Sequence, residues 1–168
     1  MSNYSELDFT PLVELSADEV VTHSYVRDVP LSEGRTLALV TLDNGRDHTR
    51  PNTLGPITLL EFATTMDLLR ERAALGDIHG VAVTGKPFIL AAGADLSKVS
   101  EIPSLATGKL LAQLGHYALG KQAELGVPSF VFINGLALGG GLEIALNADY
   151  RTVDATVPAL ALPEVSLG

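Results

Sequence analysis

The sequence predicts an α/β domain with parallel strand pairings, and three observations carry that expectation. β-rich runs alternate with stretches whose apolar residues recur at spacings of three and four. Two apolar runs, one ending at Gly93 and one at Gly139-Gly140-Gly141, pass through glycine into a helical pattern. The chain has 168 residues, 46% hydrophobic and 18% charged, the balance of one well-filled globular domain.

Taken in order, residues 1–18 are weakly patterned and read as an N-terminal extension over the surface, with 19–168 as the domain. Residues 20–26 and 36–42 are β-rich and separated by Pro30-Leu31-Ser32-Glu33-Gly34, which predicts a hairpin. A polar loop, 43–55, follows. Pro56 suits a first helical turn, and Leu59, Phe62, Ala63, Met66, Leu69 and Ala73 mark the apolar face of a helix ending near Gly76. Residues 80–84 read as a buried strand stopped by Gly85-Lys86-Pro87, and 88–96 as an apolar run meeting Gly93 and then a helix. A second long helix is expected from Ser104 to about Leu125, and a strand over 129–133 aimed at the three glycines. After the helix that starts there, 150–153 and 159–162 read as two short strands, the second delivering Pro163-Glu164. The sequence stops at Gly168, just past a buried-looking strand, which reads as a C-terminally truncated domain.

Eleven basic against twenty acidic residues give a formal charge of -9, which argues against nucleic acid or an anionic membrane as partner. There is no cysteine, so disulfides, thiolate nucleophiles and thiolate metal sites are excluded, and the four histidines show no metal-ligand spacing. The N-terminus lacks the basic start and apolar run of a secretory signal. The most apolar window, 127–148, contains Pro128, Asn134, four glycines and Glu143, which makes a poor membrane span. A cytoplasmic setting is the expectation.

Three glycines in a row weaken a strand or helix by roughly 0.5–1 kcal/mol each relative to alanine, so the run suggests backbone N–H groups held close to something. Two strand-to-helix glycine corners could converge their N–H groups on one carbonyl oxygen, as an oxyanion hole requires, and Glu143 and Glu164 could then handle a water molecule. Plainer readings stand beside these. Gly93 could serve a tight turn, and the glycine run could serve helix-strand packing. Glu143 could complement a helix dipole, although its apolar flanks favour burial. Glu164 could be a loop acid, His48 a loop residue and Asp95 a helix cap. A dinucleotide fingerprint fits poorly, because the third glycine is missing and Glu143 would face a pyrophosphate. No Gly-Lys-Ser/Thr follows the glycines, and no Gly-x-Ser-x-Gly elbow is present.

Ala91-Ala92-Gly93-Ala94-Asp95-Leu96, the segment Ile133-Asn134-Gly135-Leu136-Ala137-Leu138-Gly139-Gly140-Gly141-Leu142-Glu143, Asp149-Tyr150-Arg151 and Leu162-Pro163-Glu164-Val165 together resemble the enoyl-CoA hydratase/isomerase (crotonase) family, over roughly residues 35–168. Within it the chain resembles the hydratase part of bacterial bifunctional fatty-acid oxidation proteins. The resemblance implies a crotonase-like fold of repeated ββα units that binds an acyl-CoA thioester, with no cofactor beyond the coenzyme A of the substrate. It implies oxyanion-hole N–H donors at Ala94 and Gly140 and catalytic carboxylates at Glu143 and Glu164, the pair favouring a hydratase of fatty-acid β-oxidation over an isomerase. It further implies substrate contacts at Asn52, Leu54, Ala92, Gly93, Asp95 and Gly139, with Lys98 or Lys86 near the CoA phosphates. Assembly as a homo-oligomer of the trimer type, or within a larger multifunctional chain, follows from the same likeness. The 43–55 loop departs from the family by being longer and more polar.

Overall fold

The computed structural model describes Tyr4 and residues 7–94 and 102–163. A short helix, α1 (Thr10–Glu14), precedes the hairpin β1 (His23–Pro30) and β2 (Thr36–Asp43), then α2 (Pro56–Ala74), β3 (Gly80–Gly85) and β4 (Phe88–Ala91). Helix α3 (Leu105–Gly120) runs into a 3-10 turn over Lys121–Glu124, and β5 (Ser129–Ile133), β6 (Gly135–Leu138), α4 (Gly140–Leu146), β7 (Tyr150–Val153) and β8 (Leu160–Ala161) complete the order.

The strands divide between two sheets, one ordered β1-β2-β3-β5-β7 and one ordered β4-β6-β8. Among the described residues, every pairing apart from the antiparallel hairpin is parallel. Each strand pair, β3–β4, β5–β6 and β7–β8, sends its first strand to the larger sheet and its second to the smaller. With α3 following β4 and α4 following β6, the expected repeat of two strands and a helix is present.

Alternation along β2 buries Ala38, Val40 and Leu42, whereas central β3 is buried along nearly its whole length, as a parallel strand covered on both faces should be. Helix α2 lays Leu59, Phe62, Ala63, Met66 and Leu69 into this core, the stripe read from the sequence. Fully burying each of its larger side chains contributes about 1.5–3 kcal/mol. Helix α3 begins where Ser104 accepts a hydrogen bond from the Thr107 N–H.

Three differences from the sequence reading have physical causes. The first strand starts at His23 rather than residue 20, because Thr22 is drawn to α2: its N–H donates to the Thr58 hydroxyl and its own hydroxyl donates to the Thr53 carbonyl. It extends to Pro30, whose missing N–H is tolerated at the end of an edge strand. Residues 135–138 form a separate strand of the second sheet, since the chain turns at Asn134. The N-terminal segment does more than cross the surface: Phe9 and Leu12 are buried in the core, and the Phe9 ring lies 5.8 Å from that of Tyr117.

Buried and half-buried polar side chains pin the corners where strands leave one sheet for the other. The Asn134 amide donates to the Gly85 and Lys86 carbonyls and accepts from the Gly85 N–H. Asn52 does the same one repeat earlier, donating to the Leu42 and Leu90 carbonyls and accepting from the Asn44 N–H. Lys86, only 4% exposed, directs its ammonium to Asn44 Oδ1 and to the carbonyls of Arg46, Asp47 and Arg50. The long polar loop is therefore folded around a lysine. Replacing Asn52 by alanine should leave buried peptide groups without partners and lower stability by about 1–3 kcal/mol, measured as a shift in the urea unfolding midpoint.

Candidate active site

The two glycine corners meet. Gly93 follows β4 with φ +77°, and a Cβ built there would lie 2.9 Å from the Leu138 carbonyl oxygen and 3.1 Å from the Gly140 nitrogen. Gly139 has φ +50° and ψ -125°, a backbone shape that L side chains rarely adopt, and this turn starts α4. A Cβ on Gly141 would strike the Ala91 carbonyl, so this glycine serves the packing of α4 on β4. The plainer readings of the glycine run are thus correct for Gly141 and contribute at Gly139. Gly140 sits between Leu54 and the Glu143 carboxylate, at 3.0 Å and 3.7 Å from its built Cβ.

The 52–54 loop holds the first corner in place. The Ala92 N–H donates to the Asn52 carbonyl at 2.8 Å, and the Leu54 N–H donates to the Gly93 carbonyl at 2.9 Å. At the second corner the Gly139 N–H donates to the Ala161 carbonyl of β8, while the Gly139 carbonyl accepts from Leu142 and Glu143. As the first residue of α4, Gly140 has no intrahelical acceptor for its N–H.

Gly93, Gly139 and Gly140 are therefore brought together, with Ala92 and Leu54 beside them. Ala94 is exposed and lines a cavity of about 240 Å³ that also touches Leu54, Gly55 and Pro56. Three expectations are corrected. Asn52 is 0% exposed, so its side chain is closed to a ligand and occupied at the β2 corner. Lys86 is buried inside the 43–55 loop and cannot reach out to phosphates. Glu143 is exposed rather than buried, because α4 turns Ile144 and Ala145 inward instead. Asp95, Lys98 and Glu164 lie outside the described residues.

Glu143 faces a second cavity, about 490 Å³, between α3 and α4, where His116 and Asn147 also lie. Helical spacing alone could have found His116, which falls four residues after Ala112 and three before Leu119 on the same side of α3. No local signal marks the N-terminal contribution to the first cavity. There the Glu19 carboxylate accepts from the Ile57 and Thr58 N–H groups and the Thr58 hydroxyl, capping α2 in place of the side chain that Gly55 lacks. Among the described residues no three His, Asp or Glu side chains group as a metal site, and no helix is long and apolar enough to cross a membrane.

An alanine at Gly93 would force a side chain into left-handed backbone and against the second corner. Gly93→Ala should lower stability by roughly 1–3 kcal/mol, read from thermal and urea unfolding.

Comparison with known proteins agrees with this geometry. The family profile for enoyl-CoA hydratase/isomerase matches residues 32–168. The fatty acid oxidation complex subunit alpha of Pseudomonas syringae pv. tomato is 35% identical over 119 residues, and that of Pseudomonas paraeruginosa 36% over 121. Each alignment takes in 70% of this chain and 16% of the relative, so the chain matches a small part of those proteins. Among solved structures, DspI of Pseudomonas aeruginosa superposes with a TM-score of 0.73 at 29% identity, covering 88% of this chain and 56% of its own. An enoyl-CoA hydratase from Bacillus anthracis gives 0.72 at 23% identity over 87% and 52%, a likeness of fold. With the two-sheet fold and the converging glycine corners, the profile match establishes that this chain belongs to the enoyl-CoA hydratase/isomerase family.

Proposed function

We propose that the chain is a hydratase domain that adds water reversibly across the double bond of a 2-trans-enoyl-CoA in fatty-acid β-oxidation. The observation that carries the reading is the approach of the Gly93 corner to the Gly140 nitrogen. Backbone donors held by two separate parts of the fold are suited to a charge that appears only during reaction, because little reorganisation is needed at that moment.

In this reading the Ala94 and Gly140 N–H groups donate to the thioester oxygen. As water adds at C3, negative charge moves through the conjugated system onto that oxygen, and the two donors stabilise the enolate. Removing one such donor typically costs about 2.7–4 kcal/mol of transition-state stabilisation. One carboxylate of the Glu143–Glu164 pair takes one proton from the attacking water, whose remaining O–H becomes the C3 hydroxyl. The other, in its protonated form, delivers its proton to C2, and transfer of a proton from the first carboxyl to the second through solvent restores the pair. Glu143 is exposed, so water can reach its carboxylate.

A second reading, an enoyl-CoA isomerase, rests on the matched family profile, which covers both hydratases and isomerases. The two are separated by offering crotonyl-CoA and 3-hexenoyl-CoA in parallel. The hydratase reading expects loss of the enoyl absorbance with crotonyl-CoA, and expects Glu143→Gln to lower kcat by about 10²–10⁴ with little change in KM. A Glu143→Gln protein that keeps nearly full rate would remove that residue from the mechanism. Turnover of 3-hexenoyl-CoA alone would favour the isomerase.

A further inference from the structure

The cavity that opens at Ala94 is walled on one side by residues outside the family-matched 32–168. Leu12, Leu15, Ser16, Asp18 and Glu19 all lie on it, facing Leu111 of α3. This wall is fastened at both ends. Leu12 is 3% exposed and packed in the core, and Glu19 is tied by three hydrogen bonds to the start of α2. A Cβ on Gly55 would collide with the Glu19 carboxylate, so the segment lies directly on the loop that carries Leu54. Between the two anchors, Leu15 is left 58% exposed on the cavity.

We propose that segment 12–19 is a chain-length-determining wall for the acyl tail of the substrate, and that the site prefers a medium-length acyl thioester. The proposal rests on the acyl-CoA reading above. Two features select the acyl end of the ligand over its nucleotide end. The lining is mainly aliphatic, which suits a hydrocarbon tail. The acidic residues Asp18 and Glu19 in the wall oppose the negative charge of the CoA phosphates. The position also fits, since Ala94 at the mouth belongs to the corner proposed to hold the thioester oxygen. A cavity of about 240 Å³ has room for several methylenes and is closed by the 12–19 wall, which points to a tail of medium length. Burying each methylene contributes about fourfold in affinity until the cavity is full.

The test is calorimetric binding of butyryl-, octanoyl- and dodecanoyl-CoA to the full 168-residue chain and to Leu15→Trp, Leu15→Ala and Leu111→Trp, with thermal melts to check folding. The unmodified chain is expected to bind octanoyl-CoA at least tenfold more tightly than butyryl-CoA. Leu15→Trp, which fills the cavity from the N-terminal side, should cut that ratio at least fivefold. Leu15→Ala should improve dodecanoyl-CoA relative to octanoyl-CoA. If Leu111→Trp lowers the ratio while both Leu15 variants leave it unchanged, the tail enters the cavity but the segment is not its wall, and the proposal is overturned. A ratio unmoved by every variant overturns it by removing the tail from this cavity altogether. Failure of all proteins to bind any acyl-CoA would instead overturn the acyl-CoA reading on which the proposal stands.

Discussion

Backbone packed against backbone, with no room for a side chain, is the constraint on which this structure depends. Gly93 rests on Leu138, Gly139 and Gly140, and Gly141 rests on Ala91, so two strand-to-helix corners from different repeats share one small volume. Such contact needs peptide groups satisfied elsewhere, or the dipoles pressed together would be left unpaired. The fold meets this need with side chains that bind main chain: Asn52 and Asn134 at successive corners, and Lys86 inside the loop between β2 and α2. The polar residues of the interior are thus the framework that fixes where the glycine corners stand.

How much of this was legible in the sequence follows from how local each determinant is. The stripe of α2 and the Ser104 cap of α3 are set by residues within a few positions of one another, and they stand where the spacing put them. The division into two sheets is not local. The sequence reading has a strand over 129–133 aimed at the three glycines and no second strand after it, and the bonds from Asn134 to the Gly85–Lys86 corner, 48 and 49 residues away, explain the break. The cap of α2 is likewise remote, because Glu19 reaches it from beyond the hairpin. Lys86 looked like a cation available to an anionic ligand, since sequence alone does not show four oxygens gathered around its ammonium.

The candidate site divides in the same way. Glycine at 93 and at 139–141 was a strong signal because few environments tolerate it, and the positive φ angles at Gly93 and Gly139 with the packing at Gly141 give the reasons. Glu143 was a weak signal, since apolar flanks in a helix say little about which face an intervening residue occupies. Glu143 stays outward while Ile144 and Ala145 face the core and Leu142 packs against it. The N-terminal residues carried almost no signal, yet Phe9 and Leu12 enter the core and Glu19 holds the neighbouring segment on α2.

Backbone donors and a carboxylate that handles water have different physical requirements. In the proposed reading the Ala94 and Gly140 donors sit beside the positive-φ turns of Gly93 and Gly139, whereas Glu143 is exposed on α4. The central claim is that two backbone N–H groups polarise one thioester carbonyl. It is tested most directly by the carbonyl 13C resonance of butyryl-CoA labelled at C1, recorded free and bound. Polarisation by the Ala94 and Gly140 N–H groups predicts a downfield shift on binding. A ligand that binds with its carbonyl resonance unmoved would contradict it.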